Sequence, residues 1–218
     1  MLQKIINLIV DKKCLICGLS GEMICEYCDR KIFTNRVQVC FLCNKLAGNG
    51  KTCTACKRKS KLSGVTIGYR LDGEIKKLIY QLKYFGRRDI ARLLAKKLVE
   101  KIDVSSFDLI TFVPSDGKRL RQRGYNQAKI LARGIAGQTD LPLKETLLRV
   151  KHTPQVGAGR AKRLKLVENN FIPCAKVKNL KILIVDDVLT TGATINECAK
   201  VLKNEGAKNI WGLVVAKK

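Results

Sequence analysis

The sequence predicts an α/β protein, a mostly parallel sheet flanked by helices, with a small metal-held module in front of it. Three observations predict this. Residues 109–113 (Leu-Ile-Thr-Phe-Val) and 182–185 (Ile-Leu-Ile-Val) are apolar runs with little alternation, as in parallel strands buried on both faces. Segments with apolar residues at helical spacing lie between such runs, the order of an α/β sheet. Eight of the ten cysteines fall in the first sixty residues, all as Cys-x-x-Cys pairs.

Residues 1–10 carry Leu2, Ile5, Ile6, Leu8, Ile9 and Val10. This run is too short to cross a bilayer, and no small-residue cleavage site follows it. It is expected to form a short helix on the body, with no membrane insertion and a cytoplasmic location. The cysteine pairs follow: Cys14 with Cys17, Cys25 with Cys28, Cys40 with Cys43, and Cys53 with Cys56. Each such turn sets two thiolates on one side of a tight loop, and two turns make a tetrahedral zinc site. Four pairs therefore predict two structural Zn2+ ions. Joining first with second and third with fourth needs hairpins of only seven and nine intervening residues, so sequential sites are preferred to interleaved ones. Few apolar residues lie between the pairs, so metal is expected to supply the folding energy. Residues 1–60 are thus expected to form an N-terminal helix and a double zinc ribbon, and residues 61–218 the main domain. The cation run 57–61 closes the module. The formal net charge is +25, which makes polyanions the expected partners through field and counterion release.

Residues 65–70 read as a strand. Asp72-Gly73-Glu74 turns the chain into a helix with Ile75, Leu78, Ile79 and Leu82 on one side. The segment Lys83-Tyr84-Phe85-Gly86-Arg87-Arg88 mixes two aromatics with three cations. That composition suits a stacking platform for single strands; equally, Tyr84 and Phe85 could cap the helix against the core. A second helix is expected from Asp89 to about Lys101.

The strand 109–113 ends at Pro114 and Ser115. A cationic stretch with Lys118, Arg119, Arg121 and Arg123 leads into a helix carrying Ala128, Ile130, Leu131 and Ile135. Four cations at the carboxyl end of a central strand point at an anion. Residues 147–150 read as a strand. Residues 151–165 hold five cations, two glycines and no acid, and read as a loop; His152 within it reads as a solvent-facing residue and not as a base. Between Lys118 and Lys165 there are thirteen Lys or Arg and two acids, so charge gathers beside one pocket. Residues 167–172 are a candidate strand. Cys174 and Cys198 read as small buried hydrophobes.

After the strand 182–185 come Asp186 and Asp187, then Thr190, Thr191, Gly192, Ala193 and Thr194 at the start of a helix reaching Asn204. Backbone N–H groups, hydroxyls and a positive dipole end suit a phosphate, at the sheet edge where open α/β folds bind ligands. Gly206 is expected to cap the helix, and residues 209–216 form the last strand.

This stretch resembles the 5-phosphoribosyl-1-diphosphate (PRPP) motif of type I phosphoribosyltransferases. The resemblance implies that Asp186 and Asp187 face the ribose hydroxyls and that Thr190 to Thr194 hold the 5-phosphate, with Mg2+ accompanying PRPP. The Val113-Pro114 step, Arg119 and the run Arg123-Gly124-Tyr125-Asn126-Gln127-Ala128, with the cysteine pairs and this motif in the same order, resemble the ComF family over essentially the whole chain. That family is phosphoribosyltransferase-like and tied to DNA uptake. It implies that Pro114 and Ser115 form the diphosphate turn, that Thr153, Gln155 and Arg163 belong to a closing loop, and that a competence helicase is a partner. The family's Asn three residues beyond that Arg is Leu166 here. Three readings follow: a single-stranded-DNA-handling protein that retains a PRPP pocket, with Lys83, Arg87, Arg88, Arg119, Arg121, Arg123 and Arg163 on diphosphate or nucleic acid; an active phosphoribosyltransferase; and a PRPP-sensing regulator.

Overall fold

The computed structural model describes residues 13–33, 37–150 and 170–218. The expected helix over residues 1–10, and the loop with His152, Thr153, Gln155 and Arg163, lie outside the described residues. Four strands, β1 (Gly64–Arg70), β2 (Leu109–Phe112), β5 (Lys181–Leu189) and β6 (Asn209–Lys217), form one sheet in the order β1-β6-β5-β2. Every pairing in it is parallel. Two short strands, β3 (Leu147–Arg149) and β4 (Phe171–Pro173), pair antiparallel beside it.

The helices are α1 (Glu26–Phe33), α2 (Thr54–Lys57), α3 (Gly73–Tyr84), α4 (Arg88–Val99), α5 (Gly117–Arg123), α6 (Gln127–Ala136) and α7 (Ala193–Asn204). The central strands sort their side chains by the period of two. Leu183 and Val185 face a core with Leu82, Leu94 and Leu131 from α3, α4 and α6. Ile182 and Ile184 face the opposite core, with Ile195, Cys198 and Leu202 from α7. Both faces are therefore covered, which is why residues 182–185 show no polar alternation.

The cysteine-rich segment borrows its apolar support from this body. Around the first two pairs, Ile24 and Phe33 join the α3–α4–α6 core, with the Phe33 and Tyr69 rings 5.1 Å apart. Lys97 of α4 pairs with Asp29 of α1 at 2.8 Å. Around the other two pairs, Phe41 and Leu62 join the α7 core. The two halves thus sit against opposite faces of the sheet.

Three expectations change. Strand β5 runs through Asp186 and Asp187 to Leu189, because its backbone stays paired with β6 beyond the end of β2. The cationic stretch after Ser115 forms the helix α5, started by Asp116, whose carboxylate accepts from the Lys118 N–H, and ended by Gly124 at φ +74°. Cys198 is buried, but Cys174 is exposed at the end of β4, its thiol donating to the Glu145 carbonyl at 3.4 Å. The β3–β4 pair buries Leu147 and Phe171 in the α7 core and turns Leu148 and Ile172 outward, and Cys174 lies on the outward side.

Candidate functional site

The eight cysteines of the first sixty residues form two groups, Cys14, Cys17, Cys25 and Cys28, and Cys40, Cys43, Cys53 and Cys56, each with its sulfurs within 4.8 Å of one another. The Cys17 and Cys25 sulfurs are 3.6 Å apart, as are those of Cys43 and Cys53. A disulfide needs about 2.05 Å, whereas a tetrahedron with metal–sulfur bonds of about 2.3 Å has edges of about 3.8 Å. Each four-thiol group can hold a metal ion, and the pairing is sequential. Burial pushes the Cys14 thiol up, but backbone N–H groups of Cys17, Cys25 and Ile16 outweigh it and hold it down at about 6. Cys40 is treated the same way, by Cys53, Cys43 and Leu42, and also lies at about 6. Burial and neighbouring thiols push Cys28 and Cys56 up to about 12. A bound cation favours the thiolate form of all four ligands in each group.

At the carboxyl edge of the sheet, Asp186 and Asp187 stand just past the last paired residue of β2, Phe112. Val113 N–H still donates to the Val185 carbonyl at 3.0 Å, and the chain then leaves the sheet at Pro114 and Ser115. This brings the expected diphosphate turn alongside the acids. Burial, and then the neighbouring Asp187 charge, hold the Asp186 carboxyl well above the usual carboxylate range. Asp187 accepts an ion pair from Lys83 at 2.8 Å. Thr190, Thr191, Ala193 and Thr194 are exposed, while Gly192 is buried at φ +78°. A Cβ on Gly192 would lie 2.7 Å from the Phe41 ring, so the second four-thiol group packs directly under this loop. Asn196, in the first turn of α7, accepts from Ser60 Oγ at 2.9 Å and from Lys61 N–H at 3.1 Å. The same helix start therefore holds the end of the cysteine-rich segment.

The remaining cations divide. Lys83 is committed to Asp187, and Arg87 is committed to Asp89 at 2.6 Å. The hydrogen bond from Arg87 holds the Asp89 carboxyl below its usual range. Arg88, Arg119 and Arg121 are exposed. Arg123 lies over the Tyr84 ring, 5.0 Å from its centroid. Tyr84 and Phe85 are 58% and 68% exposed, so they do not cap α3 against the core. Tyr80, 55% exposed, joins them at 4.7 Å from Tyr84. Sequence reasoning passed over Tyr80, although it sits four residues before Tyr84 and off the Ile75–Leu78–Ile79–Leu82 stripe, which was the available signal. Phe41 had no such signal, since its contact with Gly192 joins distant segments.

The run around Gly124 is largely structural. The Tyr125 hydroxyl donates to the Leu82 carbonyl. Asn126 caps α6 by accepting from the Ala128 and Lys129 N–H groups and donates to the Val113 carbonyl at 3.0 Å.

Residues 120–218 match the phosphoribosyl transferase domain family. The DNA utilization protein YhgH of Salmonella typhi is 30% identical over 215 residues, covering 90% of this chain and 93% of the relative. The chain belongs to the ComF family. Competence protein ComFC of Streptococcus pneumoniae is 27% identical over 218 residues, covering 91% of this chain and 96% of that protein. Competence protein F of Haemophilus influenzae is 36% identical over 150 residues, covering 65% and 62%. Among solved structures, the PRPP amidotransferase of B. subtilis aligns over 62% of this ComF-family chain and 30% of its own, with a TM-score of 0.45 and 19% identity. No helix among the described residues is long and apolar enough to cross a membrane.

Proposed function

We propose that this ComF-family protein handles single-stranded DNA during DNA uptake in the cytoplasm and keeps a pocket for Mg2+-bound PRPP or a similar phosphorylated ligand. The outward-facing stack of Arg123 on Tyr84, flanked by Phe85 and Tyr80, carries this reading. A base stacked on an aromatic ring contributes about 1–3 kcal/mol whatever its identity, and neighbouring cations neutralise the backbone. The relatives' names, competence protein and DNA utilization protein, support the same reading.

In this reading each four-thiol group holds a structural zinc ion, and residues 1–60 and 61–218 are the two units. Asp186 and Asp187 take the ribose hydroxyls, and Thr190, Thr191, Gly192, Ala193 and Thr194 take the 5-phosphate. Pro114 and Ser115, with Arg119 and Arg121 on α5, take the diphosphate. A competence helicase is the protein partner that fits this role. A second reading, that PRPP regulates DNA binding, is favoured by the Lys83–Asp187 pair, which ties the pocket to the helix end bearing Tyr84.

The test is a titration of zinc-loaded protein with labelled single-stranded DNA at two salt concentrations, with and without Mg2+ and PRPP. Affinity should fall steeply with salt and be indifferent to base sequence. Affinity unchanged by salt sinks the DNA-handling reading. Equal DNA affinity with and without PRPP removes the regulatory one.

A further inference from the structure

A groove of about 780 Å³ begins at the Pro114–Ser115 turn and runs over α4 and α6. Arg88 and Arg92 of α4 and Arg133 of α6 line it, all exposed. Among the described residues, none of these three has an acidic partner. Helix packing roots two of them on adjoining backbone. Gly134 lets α6 approach α4 so closely that a Cβ there would lie 2.8 Å from the Ala95 Cβ and 3.8 Å from the Arg92 Cα. Arg133 and Arg92 therefore rise from adjoining backbone, and Arg88 stands one turn before Arg92 on the same helix. Like charges on neighbouring positions of one surface repel. A bound polyanion would turn that repulsion into attraction.

The groove does not end blindly. Tyr125 lines it and is hydrogen-bonded to the end of α3. From there the chain leads through Phe85 to the Tyr80–Tyr84 pair, and Arg123, two residues before Tyr125, covers Tyr84. One surface thus carries a line of unpaired guanidiniums and a cluster of exposed aromatic side chains.

We propose that this groove and the Tyr80–Tyr84–Phe85 cluster form one continuous binding track for single-stranded DNA, with phosphates on Arg88, Arg92 and Arg133 and bases on the aromatic rings. The proposal rests on the DNA-handling reading and deepens it by assigning the surface. Single strands fit because their bases are free to stack, whereas a duplex offers only its backbone to this surface. It also separates the cations: Lys83 and Arg87, held in ion pairs, lie outside the track.

The experiment measures anisotropy of a labelled oligothymidine with zinc-loaded full-length protein across a salt series. A triple variant, Arg88→Ala, Arg92→Ala and Arg133→Ala, is compared with a charge-matched control on other surfaces, Lys176→Ala, Lys200→Ala and Lys208→Ala, all exposed. Three lost phosphate contacts should flatten the slope of log affinity against log salt by about 2. Affinity should drop at least tenfold in the triple variant and stay within about twofold in the control. Tyr84→Ala should weaken the oligothymidine yet leave an abasic strand of the same length unaffected. Equal losses in the triple variant and its control overturn the track while leaving the DNA-handling reading intact, as the wild type still binds. Duplex bound as tightly as single strand also overturns it. No binding by the wild type overturns both.

Discussion

The Lys83 ammonium lies 2.8 Å from Asp187 Oδ2, with only 22% and 15% of the two side chains exposed. Lys83 is the next-to-last residue of α3, and Tyr84 and Phe85 follow it directly. One ion pair therefore joins the acids at the carboxyl edge of the sheet to the helix end that turns its aromatics outward. It also offsets part of the repulsion between two adjacent carboxylates. A cationic or hydroxyl-bearing ligand of Asp187 has to displace or share this lysine.

Replacing Lys83 by Met tests that arrangement. The variant leaves a partly buried carboxylate unpaired, which should lower stability by about 1–3 kcal/mol, discounted from a fully buried pair for its residual exposure. Mg2+ with PRPP should restore much of the loss, by supplying positive charge where the ammonium stood. Urea unfolding with and without the ligand reads both effects. A variant as stable as wild type would show that the pair is incidental.

Asp186 makes a prediction of opposite sign. Burial, with the Asp187 charge second, holds its carboxyl above the ordinary range. A raised carboxyl favours the protonated fold, so its contribution is greatest below the unfolded value of about 4 and is lost as pH rises through the folded value. Asp186→Asn should therefore be more stable than wild type at neutral pH, with the advantage vanishing in acid. The same change removes a carboxyl oxygen from the pocket and should weaken PRPP binding by about tenfold or more. Thermal unfolding from pH 4 to pH 8, beside ligand titration, separates the two. A variant less stable at neutral pH contradicts the sign.

The fold was legible where burial leaves a plain mark. Residues 182–185 read as a two-sided strand because both faces of β5 are covered, and the sequential cysteine groups followed from short hairpins. Less legible was anything decided by contacts between distant segments. The extension of β5 through its acids depends on β6 continuing beside it. Helix α5 has four cations in seven residues and no apolar stripe, so only its caps, Asp116 and Gly124, marked it. The acids and the threonine loop were visible as a motif. The engagement of Lys83 and Arg87 in ion pairs was not, because composition shows charge but not partners. Whether Tyr84 and Phe85 faced in or out was open in sequence for the same reason.

Gly192 should tolerate no side chain. Its φ of +78° disfavours L residues by about 1–2 kcal/mol. A Cβ would also press on Phe41, 1% exposed and fixed in the core. Gly192→Ala should thus destabilise by more than the backbone cost alone and shift the hydroxyls of Thr191 and Thr194. The double variant with Phe41→Leu should recover part of the packing loss but none of the backbone cost. Unfolding free energies of the two single variants and the double one check this, and additive losses would show that the two residues do not meet.

The two four-thiol groups should differ in what their loss does. The first leans on β1 through Phe33–Tyr69 and on α4 through Asp29–Lys97, in the core across the sheet from the one that holds Phe41. The second carries Phe41 against Gly192, and the Lys217 ammonium donates to the Phe41 carbonyl at 2.8 Å. Disrupting the second by Cys43→Ser should therefore loosen the loop and lower PRPP affinity at least tenfold. Disrupting the first by Cys17→Ser should leave PRPP affinity within about twofold while destabilising the α1 region. Both cysteines are exposed, so neither change opens a cavity, and the effect reports the metal site. Zinc content by a chromogenic chelator, hydrogen exchange over residues 13–33 and 186–200, and PRPP titration make the comparison. Equal loss of PRPP affinity in both variants would show that the module acts as one unit and that the Phe41–Gly192 contact carries no special coupling.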